Sequence, residues 1–60
     1  MSSAEIIKLL KAAGWTLKRV SGSHHQFKHA TLPLVVTVPH PRKDVPKGTA
    51  EAILKAAGLK

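Results

Sequence analysis

A chain of sixty residues has room for one small domain, residues 1–60, and its core must be thin, which excludes a deep cavity for a small-molecule substrate and puts any site on the surface. Ten Lys and Arg against three Asp and Glu give a formal charge of +7, a field that attracts polyanions, nucleic acid ahead of an anionic membrane or an acidic protein. Without cysteine there is no disulfide scaffold or thiolate metal site, and without an apolar run near ~18 residues or a secretory leader the expectation is a soluble, cytoplasmic protein with no membrane partner.

Ser2-Ser3-Ala4-Glu5 has the pattern of a capping box, in which hydroxyl and carboxylate satisfy each other's free backbone donors, and it predicts a helix over residues 3–13. Ile6, Leu9, Leu10 and Ala13 fall on one face of that helix, Lys8 and Lys11 face outward, and Gly14 supplies the left-handed stop. Trp15 to Val20 then reads as a strand, Ser21-Gly22 as a turn, and Ser23 to His29 as a second strand that completes a hairpin. After the loop from Ala30 to Pro33, the β-branched run Leu34 to Val38 predicts a third strand.

Pro39 to Val45 reads as loop, because its prolines remove donors and fix the backbone, and Pro46 suits the first turn of a second helix. Ala50, Ile53, Leu54 and Ala57 form that helix's apolar stripe, Lys55 suits its last turn and Gly58 ends it. Lys-Ala-Ala-Gly occurs at both Lys11–Gly14 and Lys55–Gly58, an echo short enough to come from shared end-capping chemistry rather than duplication. The expected fold class is α+β: a two-layer α-β-β-β-α sandwich with both helices on one face of a three-stranded antiparallel sheet, the layout of double-stranded RNA-binding domains.

Four histidines invite a metal site, but His24 and His25 are neighbours on a strand and point to opposite faces, while His25 and His29 stand about 13 Å apart at ~3.3 Å per residue. Neither pair can chelate, and Glu5, Asp44 and Glu51 are scattered, so no metal site is expected. Alternation along the second strand sends His25, Phe27 and His29 to one side and His24, Gln26 and Lys28 to the other; Phe27 belongs to the core, which leaves His24 and Lys28 on the open face.

RNA brings its own nucleophile, the 2′-hydroxyl, so its cleavage needs only a base, cations for the charge that develops on phosphorus, and a proton for the leaving oxygen. One exposed imidazole among lysines can meet that demand, whereas a Ser-His-Asp set is out of reach with Asp44 as the sole Asp. Arg42 and Lys43, followed by Lys47-Gly48-Thr49 at a helix start, form a candidate phosphate cradle; the glycine spacing is not that of a nucleotide-hydrolysing loop. With Trp15 and Phe27 as the only aromatics, Trp15 reads as core, and recognition by base stacking has no platform. These residues alone leave two readings open, an RNA-cleaving enzyme and a non-catalytic basic module that only grips RNA.

Gly22-Ser23-His24-His25-Gln26-Phe27, Val38-Pro39-His40-Pro41, Gly48-Thr49 and Ile53-Leu54-Lys55-Ala56-Ala57-Gly58-Leu59, with Gly14-Trp15 ahead of them, resemble the HicA messenger-RNA interferase toxins of bacterial toxin-antitoxin modules. The resemblance spans nearly the whole chain; Ala50 and Glu51 depart from it where larger apolar and then basic residues are common. It implies a type II system toxin that cleaves mRNA as an endoribonuclease without a cofactor, with a HicB-type antitoxin as its inhibitory partner. It also implies that the catalytic histidine is His24 and that His25 takes the packed position.

Overall fold

A computed structural model describes residues 1–60. Helix α1 spans Ser3–Ala12 and opens with the complete capping box: the Glu5 amide donates to the Ser2 hydroxyl at 3.1 Å, and the Ser2 amide donates to the Glu5 carboxylate at 3.0 Å. Ser3, Ile6 and Leu10 are its buried residues, with Ile7 and Ala13 packed against the core. Leu9, expected on that stripe, is 42% exposed, because the buried face is centred one position away, on the Ser3-Ile6-Ile7-Leu10 line.

Gly14 carries the chain out of α1 at φ 95°, and a Cβ there would stand 3.0 Å from the His29 imidazole, so both backbone and packing require glycine. Strands β1 (Trp15–Ser21), β2 (His24–His29) and β3 (Val35–Pro39) follow, each pairing antiparallel in the order β1-β2-β3, so β2 is central. The hairpin turn is Gly22-Ser23, one residue later than the sequence suggested. Gly22 has φ 59° and Ser23 does not take a positive φ, the pattern of a hairpin turn that needs glycine at its first central position.

Helix α2 spans Lys47–Ala56; Pro46 precedes it as the N-cap rather than entering its first turn, and Ala50, Ile53, Leu54 and Ala57 are buried as expected. Both helices pack on one face of the sheet, where Ile6 and Leu10 meet Trp15, Phe27, Val36 and Val38, and Val45 closes the edge from the loop before α2. Twelve of the sixty residues are buried, so this single layer of contacts is the whole core. No helix is long and apolar enough to cross a membrane.

One irregularity breaks the sheet. Leu17 pairs with Phe27 but the next pair is Arg19 with Gln26, so Lys18 is an extra residue in β1, a β-bulge. Strict alternation from Trp15 would send Arg19 toward the helices. The bulge instead puts Arg19 on the face of Gln26 and leaves Val20 opposite His25 on the helical side.

Candidate nucleic-acid interface

The face of the sheet away from the helices carries the residues expected to do chemistry. His24 and Lys28 of β2 are exposed there and Gln26 between them is half-buried, while Phe27, one step out of phase, is 1% exposed beneath the helices. His24 pairs with Ser21 on one side and Pro39 on the other, so its imidazole sits beside the hairpin turn, at one end of the central strand. Thr16, Arg19 and Ser21 of β1 and Val35, Thr37 and Pro39 of β3 complete this face by their pairing with Lys28, Gln26 and His24.

Charge is segregated between the layers. All three carboxylates lie on the helical side of the fold or in its loop: Glu5 in α1, Glu51 in α2 and Asp44 before α2. The two ion pairs join the Met1 amine to Asp44 and Lys60 to Glu51, which leaves the Arg19 and Lys28 cations of the open face without a carboxylate partner. A polyanion laid on the sheet therefore meets imidazole, guanidinium, ammonium and amide groups and no acid.

The other three histidines have structural partners. His25 stacks edge-on against His40 with ring centroids 4.8 Å apart, and His29 stacks against Trp15 at 5.1 Å. The His29 ring bridges the Ala13 carbonyl at 3.1 Å and the Thr31 amide, which donates to Nδ1 at 3.2 Å. His40 Nδ1 lies 2.7 Å from the hydroxyl of the buried Ser3, and that hydroxyl also accepts from the Arg42 amide at 2.8 Å. The Ser3 amide donates to the Arg42 carbonyl and the Val45 amide to the Met1 carbonyl, so the loop is strapped to the start of α1. The hydrogen-bonded histidine side chains are thus His29 and His40, and His24 is left facing solvent.

Arg42 and Lys43 line a shallow concavity with Ser2, Ser3, Ala4 and His40 at the start of α1, whereas Lys47 lines a second one with Met1, Asp44, Ala50 and Glu51. Gly48 and Thr49 are exposed in the first turn of α2 and line neither. Arg19, Ser3 and His40 were not singled out from the sequence. Arg19 was legible in principle, since Trp15 and Leu17 are spaced by two and Leu17 and Val20 by three, a break in period that marks a bulge. Ser3 and His40 meet across 37 positions, which no local pattern announces.

A family model described as the HicA toxin of bacterial toxin-antitoxin systems matches residues 3–59. In a solved HicA3 and HicB3 toxin-antitoxin complex, one chain is 38% identical with a TM-score of 0.86, over 100% of this chain and 97% of that one. A chain in a toxin-antitoxin complex from Streptococcus pneumoniae is 33% identical with a TM-score of 0.83, over 98% of each. No curated protein matches the sequence.

Proposed function

Because the chain belongs to the HicA toxin family of bacterial toxin-antitoxin systems, we propose that it is an endoribonuclease that cleaves mRNA on the open face of its sheet, with His24 as the base. The observation that carries this reading is the exposure of His24 on a face that holds cations and no carboxylate. His24 removes the 2′-hydroxyl proton, the 2′-oxygen forms a bond to phosphorus, and the bond from phosphorus to the 5′-oxygen breaks. Water protonates the leaving oxygen, giving a 2′,3′-cyclic phosphate and a 5′-hydroxyl. Because the substrate supplies its own nucleophile, this route asks for no cofactor.

Lys28, Arg42, Lys43 and Lys47, with the backbone at Gly48 and Thr49, are proposed to hold the RNA by its phosphates. The lack of displayed aromatics favours binding governed by backbone charge. A HicB-type antitoxin is the proposed partner, as the two solved relatives come from toxin-antitoxin complexes, and covering the open face would silence the base. The reading places the protein in the cytoplasm, with its substrate.

The deciding experiment is incubation of the purified chain with mixed RNA in EDTA. Cleavage to cyclic-phosphate ends, lost in His24→Ala, is the expected result. Products ending in a 3′-hydroxyl would require water as nucleophile and remove His24 from this role. RNA binding without cleavage would leave only a basic binding module.

A further inference from the structure

We propose that Arg19 is the phosphate clamp of this site, delivered to it by the bulge at Lys18. The proposal rests on the RNA-cleaving reading and adds a residue to it. Its basis is the register: Trp15, Thr16 and Leu17 pair in step with His29, Lys28 and Phe27, then Lys18 is passed over and Arg19 lands opposite Gln26. Were β1 to alternate regularly through Lys18, Arg19 would share the side of Trp15 and Leu17, and Val20 would occupy the open face. The bulge therefore exchanges an apolar side chain for a guanidinium on the face that carries His24.

The position suits the task. Arg19 stands directly across from Gln26, which puts both His24 and Lys28 on its diagonals, at roughly 7–8 Å between backbones in such a ladder and within reach of an arginine stem. Arg19 is exposed and no carboxylate engages it, since the three acids of the chain lie elsewhere and two of them already hold other cations. A phosphate whose neighbouring 2′-hydroxyl is presented to His24 thus lies where the guanidinium fork can take its two non-bridging oxygens together. Those oxygens gain charge as the 2′-oxygen attacks, so the contact strengthens in the transition state and acts on the rate of bound RNA beyond its effect on affinity.

Single-turnover cleavage at saturating RNA, paired with binding to the uncleavable 2′-O-methyl form of the same RNA, tests this. Arg19→Ala should cut bound RNA about 100-fold more slowly than the parent protein. Arg19→Lys should recover only part of the rate, because a point charge cannot replace the fork. Lys8→Ala, an equal loss of charge in the helical layer, should stay within about two-fold of the parent in both measurements. A bound-state rate for Arg19→Ala equal to that of Lys8→Ala overturns the clamp while His24-dependent cleavage keeps the broader reading intact. Should Arg19→Ala fail to fold, Arg19→Lys decides, and a parental rate there overturns the clamp. If the parent protein does not cleave RNA at all, the broader reading falls and the clamp falls with it.

Discussion

His24 and His25 are consecutive in the chain and stand on opposite faces of the sheet: His25 packs edge-on against His40 at 4.8 Å on the helical side, and His24 is exposed on the other. The pair is a built-in control for chemistry against packing. His24→Ala should lower cleavage by on the order of 10²- to 10⁴-fold, as loss of a general base does. It should change stability by no more than about 0.5 kcal/mol, since an exposed ring is removed. His25→Ala loses the ring contact and should cost about 1 kcal/mol while the folded protein still cuts RNA. Kinetics and urea melts on both variants check this; loss of cleavage by folded His25→Ala, with His24→Ala still active, would reverse the assignment.

RNA affinity should fall steeply with salt. If ~4 phosphates of a single strand are neutralised, the log-log slope of affinity against salt should be near about −3. Filter binding across a salt series gives the slope, and a value near zero would exclude a charge-driven interface.

The concavity lined by Arg42 and Lys43 and the one lined by Lys47 lead to a different expectation for their residues. Arg42→Ala with Lys43→Ala and, independently, Lys47→Ala should each weaken binding to all RNA sequences alike, and their effects should add because the groups line different surfaces. Marked non-additivity in the combined variant would mean that one phosphate bridges both.

Ser3→Ala should be the most damaging one-atom change near the N-terminus. It removes the oxygen that meets His40 Nδ1 at 2.7 Å and the Arg42 amide at 2.8 Å, and leaving such part-buried groups unpaired costs about 1–3 kcal/mol. At this size each kcal/mol lowers the melting temperature by roughly 4–8 °C. An unchanged Tm would show that the Ser3 hydroxyl contributes nothing to stability.

The capping box sets a pH dependence. The Ser2 backbone amide, and then its hydroxyl, bonding to Glu5 hold that carboxyl below its ordinary value. A depressed folded value means that the contribution is present above the unfolded value and is lost as pH falls through the folded one. Glu5→Ala should therefore melt lower than the parent near neutral pH, with the gap closing in acid. Thermal melts from neutral to acid pH measure it, and a gap independent of pH would show that the charge of Glu5 takes no part.

Much of this protein is written locally in its sequence. The capping box at Ser2 and Glu5, the α2 stripe at Ala50, Ile53, Leu54 and Ala57, the hairpin around Gly22 and the opposite facing of His24 and Phe27 all depend on periodicity or backbone preference within a few residues. The buried face of α1 was displaced by one position from the sequence reading because Leu9 and Ile7 both fit the helical spacing, and only the placement of the sheet selects between them. Two features were placed by tertiary structure. Arg19 reaches the open face because β1 must stay in register with β2 past Lys18. Ser3 and His40 meet because β3 delivers the loop to the start of α1. The bulge leaves a local trace in the Leu17–Val20 spacing, whereas Ser3 and His40 are brought together by the closing of the sheet on the helices, and the free energy that places them is shared among residues far apart in the chain, so no local pattern records that contact.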